Sequence, residues 1–192
     1  MTSWLISSLR VALLVAALLS FGCAEDEAPP PSACEEKCKD AVAVRALREM
    51  VRFAYNATLQ GNPVGPQEET TPCPLGGQSR VFGEATANTD QGANEVTLTY
   101  VLEQCHYLFH EADKPGRSFD LTFSGELHQQ GTIAVQPTAR MALVMASASL
   151  TVSGTVYDPP LDYSAEACVI DLEQDENDLF GEICGRSVDT QL

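Results

Sequence analysis

The chain has 192 residues and a hydrophobic fraction of 44%, and its 27 acidic and 11 basic residues give a formal net charge of −16. The composition is that of a globular protein, and the length predicts one folded domain. The acidic balance argues against nucleic acid as a partner, because binding a polyanion needs clustered Lys and Arg. After the N-terminal segment no apolar run is long enough to cross a bilayer, which excludes a protein with several membrane spans.

The N-terminal segment has the features of an export signal. A single cation, Arg10, precedes an apolar run over residues 11–22. Such a run is too short for a membrane span but matches the apolar region of a secretory signal. It ends in the letters SFGC at residues 20–23, which resembles the lipobox of bacterial lipoproteins. In that family the signal is cut before the Cys, which is then acylated. The resemblance implies a signal peptide over residues 1–22 and lipidation of Cys23.

Two other fates of this segment are open. Cleavage after Ala24 would release a soluble protein, and an uncleaved anchor starting near Trp4 would place Arg10 inside its apolar run. In enterobacterial lipoproteins a residue other than Asp after the acylated Cys implies sorting to the outer membrane, and Ala24 fits that pattern. Residues 23–33 contain acidic side chains and three consecutive prolines, which predict an extended tether. Residues 34–192 are left as the single folded domain.

A long amphipathic helix is predicted at the start of this domain. Ser32 and Glu35 form a capping-box pattern. Apolar residues then recur at steps of three and four, which predicts one buried stripe: Val44, Leu47, Val51, Ala54, Tyr55 and Leu59. Three arginines flank the stripe, and we expect them to be solvated: Arg45, Arg48 and Arg52. Gly61 ends the helix, and residues 62–77 read as a loop rich in Pro and Gly.

From Gln78 onward the apolar period changes to two, which predicts β-strands, the last of them over residues 179–188. Consecutive strands without intervening helices favour an antiparallel meander. The fold class is therefore α+β, with one N-terminal helix packed on a disulfide-stapled antiparallel sheet of about six to seven strands. A change of apolar parity after Leu102 predicts a β-bulge at Glu103 or Gln104. The likeness of residues 120–127 to residues 149–156 predicts two equivalent strands.

Seven cysteines occur in the chain. Lipidation or removal of Cys23 leaves six, and an even number in an exported protein indicates disulfides. We expect all six to be bonded: Cys34, Cys38, Cys73, Cys105, Cys168 and Cys184. Cys168 and Cys184 are equidistant from the turn of a predicted hairpin, so they should pair with each other.

The remaining four cysteines are harder to pair. Cys34 and Cys38 lie four positions apart on the predicted helix, where Cβ atoms are about 5–6 Å apart. A disulfide requires about 3.8 Å, so we expect Cys73 and Cys105 to be their partners and to staple the helix to the sheet. Zinc bound by Cys34, Cys38, Cys105 and His106 is the alternative, but export to an oxidising space favours disulfides.

The chain carries no recognisable catalytic or cofactor motif, which favours a non-catalytic protein without a cofactor. His106 and His110 have a metal-pair spacing, but they lie in a strand pattern and are expected on its solvated face. One acidic segment resembles an EF-hand calcium loop in the spacing of its oxygen ligands: Asp171, Glu173, Asp175, Asn177 and Glu182. Glu176 stands where that loop needs Gly, so a solvated hairpin tip is the preferred interpretation.

These patterns predict a membrane-tethered lipoprotein of the cell envelope, with a non-catalytic structural or binding role towards an unidentified partner. Two alternatives remain. The first is a carrier that binds an apolar ligand between the helix and a curved sheet. The second is a hydrolase without a recognisable motif, for which a cleft that gathers Ser, His and a carboxylate would be the sign.

Overall fold

The computed structural model describes residues 34–59 and 64–192. The predicted signal peptide, the capping residue Ser32, and the tether with Cys23 lie outside the described residues. Among the described residues, no helix is long and apolar enough to cross a membrane.

Among the described residues, one α-helix precedes eight strands. Helix α1 spans Glu36–Leu59, and a single turn of 3₁₀ helix spans Pro115–Arg117. The strands are β1 Gly65–Pro72, β2 Gln78–Asn88, β3 Ala93–Phe109, β4 Phe119–Ala134, β5 Ala142–Val156, β6 Leu161–Asp175, β7 Asp178–Ile183 and β8 Arg186–Gln191. They form one eight-stranded sheet in sequence order, and each strand is antiparallel to the next.

The α+β class is confirmed, but the sheet is larger than the predicted six to seven strands. Residues 65–72 form edge strand β1 rather than a loop. Pro66 and Pro72 obscured this strand in the sequence, although Pro is tolerated at the edge of a sheet. The segment 179–188, predicted as one strand, is divided between β7 and β8 by the turn at Cys184 and Gly185.

The sheet bends around helix α1. The helix contacts both edge strands, β1 and β8, as well as β2, β4, β5 and β7. A flat sheet would not bring its two edges to one helix, so the sheet is strongly curved. The core lies between its concave face and the helix, and the largest fully buried side chains are Tyr100, Phe123, Leu47, Met50, Leu59, Leu98, Leu102, Leu121, Leu127, Met145, Leu150 and Ile170.

Glycines inside the strands permit this curvature. Gly131 has φ +130°, and a Cβ atom there would lie 2.2 Å from the carbonyl oxygen of Ala142 on the neighbouring strand. Gly154 has φ +138°, and its Cβ would lie 2.1 Å from the carbonyl oxygen of Asp120. Only Gly adopts such backbone without strain, and glycine kinks of this kind bend long strands.

Two local predictions about the sheet are confirmed. The pairing of β3 with β4 changes register between Leu102 and Cys105, and Gln104 has φ 51°, so the predicted bulge exists. The two similar segments, residues 120–127 and 149–156, lie on the adjacent strands β4 and β5.

Three disulfides join the six predicted cysteines, but only one pairing is as expected. Cys168 bonds Cys184, as the hairpin predicted. Cys34 bonds Cys38, so our prediction that these two stay apart was wrong. The helix begins at Glu36, and Cys34 therefore lies outside the regular helical spacing that the argument assumed.

Cys73 consequently bonds Cys105, which ties the β1–β2 turn to β3 instead of tying the helix to the sheet. With both pairs oxidised, the alternative zinc site at Cys34, Cys38, Cys105 and His106 is also wrong. Disulfides persist in oxidising spaces, so the three bonds indicate an extracytoplasmic compartment.

Candidate functional site

A cavity of about 420 Å³ lies between the C-terminal half of α1 and one end of the sheet, and it is partly open to solvent. Its volume is in the range of small-molecule sites, about 300–1,000 Å³. Most of its wall is apolar and comes from three elements: the helix, the end of β4 and the segment before β5. The apolar lining residues are Val51, Tyr55, Leu59, Ile133, Ala134, Val135 and Met141, and the polar ones are Arg48, Arg52, Asn56, Asn94 and Gln129.

Arg48 is the buried charged group of this lining. Its side chain lies on the inner side of the helix, and the residue is only 7% exposed. Nε donates a hydrogen bond to Oε1 of Gln174, and Nη2 lies 3.5 Å from the sulfur of Met141. Both partners are neutral. Burial lowers the pKa of the Arg48 guanidinium, but an arginine remains charged in a protein.

A second buried polar group lines the same cavity. Gln129 on β4 is 2% exposed, and its Oε1 accepts a 2.7 Å hydrogen bond from the hydroxyl of Tyr100 on β3. Burial raises the pKa of that hydroxyl, so Tyr100 stays a neutral donor. With Oε1 bound to Tyr100, the amide N–H groups of Gln129 remain available as donors to the cavity.

The three arginines predicted to be solvated occupy three different environments. Arg45 donates to the carbonyl oxygens of Gln191 and Gly116, at 2.9 and 2.5 Å, and so fixes the C-terminal strand to the helix. Arg52 is exposed and pairs with Glu49. Arg48 alone among the three is buried beside neutral partners. All three lie along the same edge of the predicted helix, so the periodicity could not single out Arg48.

The five candidate calcium ligands of the acidic hairpin do not converge. Asp171 and Glu182 are cross-strand neighbours in the β6–β7 hairpin, and Glu173 lies opposite Phe180. Asp175 is held by the guanidinium of Arg140 through two hydrogen bonds, and Asn177 lies in the turn that follows. Extended strands spread the ligands that an EF-hand loop would wrap around one ion. Within residues 34–59 and 64–192 no group of three or more potential metal ligands is close enough to hold an ion.

The histidines also have partners other than a metal. His106 Nε2 pairs with Oδ1 of Asp120 across β3 and β4. His110 lies 3.4 Å from Oγ of Ser118 and 4.0 Å from Oδ2 of Asp158, which brings a Ser, a His and a carboxylate together.

The group formed by Ser118, His110 and Asp158 has a structural explanation. Ser118 is 3% exposed, and its hydroxyl accepts a 3.1 Å hydrogen bond from the backbone N–H of Glu111. A buried hydroxyl that closes a loop offers a substrate no access, and both distances to His110 exceed the reach of about 2.6–3.2 Å expected of a nucleophile and its base. The cluster therefore lends no support to a hydrolase.

No protein-family model, curated protein or solved structure matches this chain.

Proposed function

We propose that this domain is a non-catalytic carrier that binds an apolar ligand between helix α1 and the curved sheet. The cavity of about 420 Å³ is the observation that supports the proposal. Protein interiors are close-packed, whereas this solvent-open cavity leaves apolar side chains in contact with water. A ligand that fills the cavity removes this apolar surface from water, which is favourable.

The position of the cavity also favours binding. Val51, Tyr55 and Leu59 come from the helix, whereas Ile133 and Met141 come from the opposite wall. Both walls belong to or adjoin regular elements, so the shape of the cavity is largely pre-formed. Pre-formed apolar cavities with few polar groups are the usual form of small-molecule sites.

The test measures binding of the neutral dye Nile red to the full chain. Saturable binding with increased fluorescence is expected. Ile133→Trp should abolish it, because the larger ring fills the cavity from β4. The matched control is Val169→Trp on β6, a position 60% exposed and outside the cavity lining. Absence of saturable binding to the wild-type chain, or equal binding by both variants, would contradict the carrier.

We also propose that acylated Cys23 tethers this carrier to a membrane of the cell envelope, with Ala24 directing it to the outer membrane. The support is the apolar run of residues 11–22 ending in Gly22 and Cys23. Replacing Cys23 with Ser and fractionating cells tests the tether. A mature-sized Cys23→Ser protein that stays in the membrane fraction would show that lipidation at this residue is not what anchors it.

A further inference from the structure

Arg48 forms no ion pair in the described part of the chain. No carboxylate of residues 34–59 or 64–192 lies within 4.0 Å of its guanidinium, and Glu49 acts on it only through a longer-range charge interaction. Glu49, its neighbour on the helix, is already paired with Arg52. By contrast, Arg186 donates two 2.8 Å hydrogen bonds to the carboxylate of Asp40. A buried charge is normally paired, because removing an ion from water is costly.

Two donor groups of the cavity wall also lack acceptors in the described part of the chain. Nη1 of Arg48 and Nε2 of Gln129, whose Oε1 is bound by Tyr100, make no hydrogen bond there. Neither is a fully buried unsatisfied atom, so both have access to the solvent in the cavity. Both residues are more than nine-tenths buried and both line the same cavity. One cationic and one neutral N–H donor facing the same space are suited to a negatively charged acceptor.

The rest of the lining determines the other end of such a ligand. Val51, Leu59, Ile133 and Val135 offer only hydrocarbon. An ion without an apolar part would leave this wall uncovered, and a wholly apolar molecule would leave Arg48 unpaired. The two requirements together describe an amphiphile.

We propose that the carrier's ligand is a single-chain amphiphile with an anionic head group, a carboxylate or a phosphate, that binds Arg48 and Gln129 while its chain lies along the apolar wall. This assignment rests on the proposed carrier function. Arg48 acts as the residue that selects the head group. The helix places its side chain inward, whereas Arg52 is exposed and Arg45 binds backbone carbonyl oxygens outside the cavity.

The experiment displaces Nile red from the full chain, immobilised through a C-terminal tag and washed free of detergent. Three competitors share a dodecyl chain and differ in the head group: laurate, dodecyl phosphate and dodecanol, each below its micelle concentration. The better anion should displace the dye about tenfold more effectively than dodecanol, which corresponds to about 1.4 kcal/mol, because the alcohol lacks the charged hydrogen bond to Arg48. Whichever anion competes better identifies the head group.

Arg48→Met should remove this preference, so that laurate, dodecyl phosphate and dodecanol displace the dye equally well. Two control variants keep Arg48. Arg52→Met removes the exposed arginine of the same cavity, and Arg80→Met removes an exposed arginine on β2. Both variants should still prefer the anionic competitor over dodecanol. Equal displacement by all three competitors in the wild-type chain would overturn the proposal, whether or not Arg48→Met folds. So would a preference that survives Arg48→Met or is lost with Arg52→Met. If Nile red fails to bind the wild-type chain, the carrier function itself fails.

Discussion

The three disulfides should contribute unequally to stability, in the order of the loops that they close. The bonded pairs are 32 residues apart for Cys73–Cys105, 16 for Cys168–Cys184 and 4 for Cys34–Cys38. The chain-entropy relation gives about 3.7, 3.1 and 1.9 kcal/mol for these separations. Burial adds to the first value, because Cys105 is fully buried against the thioether of Met50.

The assay is urea unfolding of three double variants, each with both cysteines of one bond replaced by Ala, so that no free thiol is left to mispair. Cys73→Ala/Cys105→Ala should have the lowest unfolding free energy, and Cys34→Ala/Cys38→Ala should be nearest to the wild-type chain. The comparison requires equal denaturant slopes, because a changed slope signals a changed unfolded state. If the Cys34–Cys38 variant were the least stable, the bond would be holding the start of the helix in place, and loop closure would not be the dominant effect.

Two further variants test the contacts that shape the domain. Asp40→Asn removes the charge of a carboxylate that is 1% exposed and accepts hydrogen bonds from Tyr163 and Arg186. In urea titration this variant should lower the unfolding free energy by about 2 kcal/mol. An unchanged urea midpoint would contradict this expectation. Gly131→Ala should lower the unfolding free energy by about 2–3 kcal/mol, since its backbone has φ +130°, a region that is strained for any residue with a side chain. Gly116→Ala is the control, because the nearest atom to its Cβ is 3.8 Å away, and similar losses in both variants would refute the strain argument.

Much of the fold is readable from the sequence because local periodicity determines it. Apolar residues at steps of three and four correctly predicted the helix, and the change to a period of two after Gln78 correctly predicted the sheet. The change in the parity of apolar residues after Leu102 predicted the bulge, because one extra residue in a strand moves the following side chains to the other face. The symmetric hairpin predicted the Cys168–Cys184 bond, since antiparallel register places residues equidistant from the turn opposite each other.

The errors arose where a single residue, or contacts distant in sequence, decide the outcome. Strand β1 carries two prolines, which a central strand would not accept and an edge strand does. The helix starts two residues after Cys34, and that small displacement is enough to let Cys34 reach Cys38. The cavity had no local signal, because its wall joins the helix to residues that are distant in sequence, from Asn94 to Met141.

The two halves of helix α1 have different roles. The N-terminal half is anchored by charged contacts: Asp40 accepts hydrogen bonds from Arg186 and Tyr163, and Arg45 binds the carbonyl oxygen of Gln191. The C-terminal half, from Arg48 to Leu59, borders the cavity. Because the anchoring contacts lie outside the cavity lining, variants of Arg48 should change the ligand preference with the helix still attached. A ligand at 100 times its Kd would then add about 2.7 kcal/mol to the stability of the folded state, and this increase should disappear in Ile133→Trp.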